Sequence, residues 1–144
     1  MPERCVDTSV AIKWVVRGEP WRVKARKFLR DSLAAGFDLI APPLFEYETE
    51  SVLQGLLESK TLTLAQTDTA LNRLSRIGVQ HLTHPDLVKR ARGIARQFHQ
   101  SKIYDSLFAA LAELQGCEFW TADKQFYDAV KGKLKFVKFL PDYP

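Results

Sequence analysis

Four acidic side chains stand where apolar segments give way to a helix start or a small-residue turn. They are Asp7 in Cys5-Val6-Asp7-Thr8-Ser9, Glu48 in Pro43-Leu44-Phe45-Glu46-Tyr47-Glu48, Asp105 in Ile103-Tyr104-Asp105-Ser106 and Asp123 in Trp120-Thr121-Ala122-Asp123. Each is attached to the end of a core element, so acids far apart in the chain can converge on one divalent cation. Brought close together without a cation, they repel one another and their pKa values rise. An all-oxygen donor set with no His or Cys selects magnesium or manganese over zinc, and magnesium takes only a few protein carboxylates and keeps waters. Phosphate oxygens can fill the remaining positions, and a metal-oriented water then attacks phosphorus. The reaction this set predicts is phosphodiester hydrolysis.

The elements that must position these acids are legible from periodicity. Arg4-Cys5-Val6 is a short strand halted by Asp7-Thr8-Ser9, and Val10 to Val16 reads as the helix after it. Gly18-Glu19-Pro20 breaks the pattern, and Trp21 to Ala35 carries Val23, Ala25, Phe28, Leu29 and Leu33 at roughly helical spacing. A strand at Phe37 to Ile40 ends at Ala41-Pro42-Pro43, and proline starts the helix from Leu44 to Ser59. A helix from Leu64 to Ile77 stops at Gly78 with a left-handed cap, and Val79 to Leu82 is a third strand. His84-Pro85-Asp86 opens the next helix with proline at its first position and an acid in its first turn. A helix from Ile103 to Leu114, the strand Cys117 to Trp120, a short helix and Phe136 to Phe139 follow. Strands separated by helices imply crossovers, hence an α/β fold: a mostly parallel sheet covered on both faces, three layers in all.

The 144 residues, 46% of them hydrophobic, suit one domain spanning 1–144, and no repeat or linker divides it. The net charge of +4 is a mild basic bias compatible with a polyanionic partner. Cys5 and Cys117 lie in apolar runs and read as reduced core thiols, not a disulfide. No signal peptide and no apolar run of membrane-spanning length is present, which places the expected protein in the cytoplasm, away from membranes. There is no G-x-G-x-x-G, no Walker loop and no Asp-x-Asp after the first strand, which disfavours dinucleotide, nucleoside-triphosphate and haloacid-dehalogenase-type phosphatase chemistry.

Val6-Asp7-Thr8-Ser9, Ala41-Pro42-Pro43-Leu44 leading to Tyr47-Glu48 and Ser51-Val52-Leu53, Ile103 to Ala112, and Trp120-Thr121-Ala122-Asp123 together resemble the PIN-domain family, most closely its VapC-type toxin ribonucleases. The resemblance covers essentially the whole chain in the family's order. It implies a magnesium- or manganese-dependent endoribonuclease, the toxin of a type II pair, usually a homodimer and held inactive by a cognate antitoxin. It implies that Asp7, Glu48, Asp105 and Asp123 are the metal-binding and catalytic positions, with Thr8 or Ser9 supporting Asp7 and Thr121 shaping the Asp123 turn. Ser51, three residues after Glu48, stands where relatives often carry Asn. Glu46 and Glu50 are the other candidates for the site glutamate.

Each acid also has an ordinary structural explanation. Asp7 and Asp123 can cap the helices they precede, and Asp105 can complement a helix dipole. The basic stripes Arg22, Lys24, Arg26, Lys27, Arg30 and Lys89, Arg90, Arg92, Arg96 are either solvated helix faces or a phosphate track in which Arg92 and Arg96 bind RNA. Trp14, Val15, Val16 and Trp21 are core or a groove for an amphipathic partner segment. The competing function is a PIN-like module that grips RNA or protein without turnover.

Overall fold

The computed structural model describes residues 2–144, all but the first residue of the expected 1–144 domain. Strands β1 (Glu3–Val6), β2 (Asp38–Ala41), β3 (Gln80–His81), β4 (Glu118–Thr121) and β5 (Val137–Phe139) form one five-stranded sheet in the order β3-β2-β1-β4-β5. Every pairing is parallel. The helices are α1 (Thr8–Val15), α2 (Arg22–Ala34), α3 (Leu44–Glu58), α4 (Leu64–Ile77), α5 (Leu87–Gln97), α6 (Tyr104–Gln115) and α7 (Lys124–Val130), and a short 3-10 turn follows β5.

Alternation along the central strands shows how the three layers are built. Arg4 reaches α2, where its guanidinium donates to Ser32 Oγ at 2.8 Å, whereas Cys5 points the other way and its thiol lies 3.5 Å from the Phe108 carbonyl of α6. On β4, Phe119 stacks on Phe108 at 5.9 Å while Trp120 turns to Phe28 of α2 at 5.2 Å. The register pairs Cys5 with Phe119, so one face of the two middle strands meets α6 and the other meets α2. Both faces are buried, which is why these strands read as nearly continuous apolar runs. Both cysteines are free thiols.

The third strand and the fifth helix are shorter than expected. Val79 to Leu82 contracts to Gln80–His81 because its only partner, β2, ends at Ala41, where Pro42 and Pro43 carry no N–H to continue a ladder. Leu82 N–H still donates to Ala41 O at 2.9 Å. Helix α5 begins at Leu87 with Asp86 at its N-cap, so Pro85 lies in the turn before the helix and not at its first position. The His84 imidazole stabilises that turn by accepting from Asp86 N–H at 3.0 Å. Gly78 ends α4 with φ of 77°, the left-handed cap its sequence position predicts. Of the residues read as either core or a partner groove, Trp14, Val15 and Val16 are buried, the Trp14 indole donating to Ala25 O at 3.0 Å, and Trp21 is exposed.

Phe119 sits fully buried between Phe108 and Phe126. Phe119→Ala removes a ring that rigid neighbours on two helices cannot replace, and should lower unfolding stability by about 3–5 kcal/mol, read from the urea midpoint at constant slope.

Candidate active site

The strand order changes direction between β1 and β4: from β1 the chain winds through β2 to β3 on one side and takes up β4 and β5 on the other. In open α/β sheets such a switch point leaves a crevice beyond the strands' carboxyl ends. Asp7 follows the last residue of β1, and Asp123 lies two residues beyond the end of β4.

Hydroxyl groups lock the two strand ends together. Ser9 Oγ donates to Asp7 Oδ2 at 2.8 Å and accepts from Ala122 N–H at 3.0 Å. Thr121 Oγ1 donates to the same Asp7 oxygen at 2.9 Å and accepts from Asp123 N–H at 3.0 Å. Each hydroxyl thus spends its one proton on Asp7 and its lone pair on the β4 loop. The Asp7 main chain adds a bond from its N–H to Trp120 O at 3.0 Å. Asp7 occupies the N-cap position of α1, yet its side chain makes no capping bond; it is 4% exposed and committed to these hydroxyls. Asp123 does cap, its Oδ1 accepting from Phe126 N–H at 3.1 Å.

Glu48 arrives from the other direction. It is the fifth residue of α3, and helical side chains lean back toward the N-terminus, which carries the carboxylate toward the strand ends. Thr8 Oγ1 donates to Glu48 Oε1 at 2.9 Å. The two candidates for supporting Asp7 therefore divide their work: Ser9 holds Asp7, and Thr8 holds Glu48. Glu46 and Glu50 line a different cavity with Phe45 and His81, so of the three glutamates only Glu48 faces the strand ends. Asp105 sits in the first turn of α6, where the helix dipole favours an anion.

All four acids line one cavity of about 400 Å³, together with Thr8, Ser9, Ser51, Ile12, Val52 and Glu19. Glu19 was not anticipated; Gly18-Glu19-Pro20 reads only as a helix breaker, and nothing in its local pattern marks the acid. Arg92 and Arg96 do not line this cavity and are exposed on α5, whose C-terminal end connects through residues 98–103 to the Asp105 end of α6. Their neighbour Arg90 is engaged, pairing with Glu113 on α6 through two guanidinium nitrogens.

The electrostatics follow from crowding acids in a partly dry cavity. Burial raises the Asp7 carboxyl, opposed by the bonds from Ser9 and Thr121, with the Asp123 charge adding to the rise. Burial likewise raises Glu48, opposed by Thr8 and reinforced by Asp7. Asp105 is pushed up to about 7, first by burial and then by the charges of Asp7, Asp123 and Glu48. Among the described residues no three His, Cys, Asp or Glu side chains approach closely enough to hold an ion between them as they stand. The donor set is nevertheless all oxygen, and an ion that keeps most of its waters needs few direct protein ligands, so its chemistry suits magnesium or manganese.

A model of the PIN domain family matches residues 4–132, and the chain belongs to that family, whose members are generally nucleases. None of the curated proteins matches it. Among solved structures it is similar to the crystal structure of PAE2754 from Pyrobaculum aerophilum, with a TM-score of 0.63 and 20% identity over 91% of this chain and 88% of that one. At that identity the likeness speaks for the fold. No helix among the described residues is long and apolar enough to cross a membrane.

Because Asp105 holds its proton to about pH 7 in the fold but loses it near its ordinary value of 3.8 when unfolded, the native state binds more protons between these limits. Stability in chelator should therefore fall as pH rises from about 4 to 7, with Asp7 and Glu48 acting in the same direction. Asp105→Asn should flatten the fall and raise Tm at pH 7.5 by roughly 3 °C, allowing for solvent screening. A wild-type Tm that rises across this interval would contradict the assigned electrostatics.

Proposed function

We propose that this PIN-domain protein is an endoribonuclease and that the acid cavity is its hydrolytic centre. The observation that carries the reading is convergence: Asp7, Glu48, Asp105 and Asp123, from four separate segments, line one crevice at the switch point of a parallel sheet. In this reading Asp7, Glu48, Asp105 and Asp123 would hold magnesium or manganese, and the ion would supply polarisation of phosphate and a lowered pKa of water.

The protein's own groups contribute orientation and charge. Ser9 and Thr121 fix Asp7 through Oδ2, so the carboxylate presents a constant geometry to a phosphate. Thr8 does the same for Glu48. Asp105, raised by burial and by the three other acids, is the side chain whose charged form a bound cation would restore most. Ser51, one helical turn beyond Glu48 on the same face, borders the cavity and offers a hydroxyl to substrate. Arg92 and Arg96, exposed on the helix leading to Asp105, attract the RNA backbone that the acids alone would repel. The motif resemblance to VapC-type toxins supports the finer assignment: the toxin of a type II pair, a homodimer, neutralised by a cognate antitoxin.

A second reading has one observation in its favour, the absence among the described residues of a ready ligand cluster: a PIN-like module that binds RNA or protein without cleaving it. The assay that separates the two is cleavage of structured RNA by purified protein with manganese or magnesium. The nuclease reading expects cleavage that chelator abolishes and that Asp7→Asn or Asp105→Asn each lowers by on the order of 10²-fold or more, with the circular dichroism spectrum retained. Normal rates in both variants would show that the chemistry resides elsewhere.

Reversing Arg92 and Arg96 together to Glu should weaken RNA binding and reduce the slope of log K against log salt by roughly 1.5–2. An unaltered slope removes both from the interface.

A further inference from the structure

Beside the acid cavity lies a second one of about 480 Å³, lined by Glu19, Trp21, Arg22, Val23, Lys24 and Lys27. Glu19 belongs to both walls, so the two cavities lie on either side of one residue. Their characters are opposite: one is acidic, the other aromatic and basic.

Trp21 is the unusual member. Trp14 and Trp120 are buried at 4% and 7% exposure, but Trp21 is 54% exposed, and it stands in the left-handed region with φ of 63° and ψ of 19°. That conformation is unfavourable for a bulky L-residue and recurs where backbone strain serves a site. No core packing explains it, since the ring and the adjacent Val23, 83% exposed, face outward. Lys24 Nζ lies 5.7 Å from the Trp21 ring centroid and is steadied by a 2.9 Å bond to Pro141 O. Lys27 is half-exposed, its ammonium held by Asp31.

An exposed aromatic face flanked by cations is how proteins hold single-stranded nucleic acid: bases stack on the ring and phosphates lie along the charges. Glu19 at the boundary repels phosphate, which leaves a base as the part of a nucleotide suited to the Trp21 end. We propose that Trp21, with Arg22, Lys24 and Lys27, forms a subsite for the unpaired nucleotide next to the scissile phosphate, Trp21 being the stacking platform. The proposal rests on the nuclease reading for its scissile phosphate, and it commits to single-stranded RNA because the ledge adjoins the acid cavity at Glu19 and is opposite to it in charge.

The test uses a short, uncleavable single-stranded 2′-O-methyl oligonucleotide titrated into the full chain in chelator, followed by Trp emission. With the other two tryptophans buried, binding should quench the Trp21 component. Trp21→Ala should weaken binding about tenfold, and Trp21→Phe, which keeps a stacking face, should stay within about threefold of wild type. In steady-state cleavage with manganese, Trp21→Ala should show its loss in KM, again about tenfold, with kcat carrying little of it. Melting curves establish that both variants are folded. Equal affinity of Trp21→Ala and wild type, binding without quenching, or no binding at all overturns the subsite. A change in sedimentation of Trp21→Ala with oligonucleotide affinity intact overturns it too and makes the ledge a contact between copies. Quenching and the tenfold loss without metal-dependent cleavage would uphold the subsite while rejecting the nuclease reading; cleavage with KM unaffected in Trp21→Ala would do the reverse.

Discussion

The arrangement depends on a single buried carboxylate oxygen. Asp7 Oδ2 receives the protons of Ser9 and Thr121, and those same hydroxyls accept the N–H groups of Ala122 and Asp123. A buried charge is tolerable only when its lone pairs are satisfied, and here the groups that satisfy it belong to two strand ends more than a hundred residues apart in sequence. Removing the carboxylate's partners would leave both an unpaired acid and two unpaired backbone donors. The constraint therefore holds the crevice at the β1–β4 junction in one shape.

Around that fixed point the other acids are placed by helices, and each helix contributes differently. Glu48 depends on the backward lean of helical side chains and on Thr8. Asp105 depends on α6, which packs on β1 and β4 with α5 against it and brings its first turn to the strand ends. Asp123 is held by its own helix, whose Phe126 N–H it caps. Capping and site geometry coexist at Asp123 but not at Asp7, where the hydroxyl network takes the side chain away from α1. Burial, together with the resulting concentration of negative charge, raises Asp105 to about 7, a cost retained in the fold at the place where a cation would reduce it.

The neighbouring aromatic and basic ledge gives the molecule a polarity across one short loop, residues 16–21, with Glu19 as the divide. Acids alone would repel an RNA backbone; cations and a stacking surface at one edge supply attraction without neutralising the acids themselves. The basic stripe on α2 is not uniform in this respect. Arg22 donates to Trp14 O and Lys24 to Pro141 O, so part of the charge read as a solvated face also ties the helix to its surroundings.

Much of this was readable from the chain. The β/α alternation is dictated by hydrophobic period and by the proline and glycine punctuation, which act locally, and the four acids advertise themselves by sitting at element ends. The motif Asp7-Thr8-Ser9 shows hydroxyls beside a carboxylate, yet only the folded chain shows that Ser9 serves Asp7 and Thr8 serves Glu48. The motif resemblance already names Glu48 ahead of Glu46 and Glu50; the fold adds the reason, because helix rotation, set by packing against α1 and α4, turns Glu48 to the crevice and the other two to a different cavity. Glu19 was invisible in a segment that reads as a break between helices, and Trp21, readable only as core or groove, needed the fold to show its ring exposed. Periodicity reports which residues a segment buries against its own neighbours; which loop ends share a cavity is determined by strand order and helix docking, and those are long-range properties that no local pattern encodes.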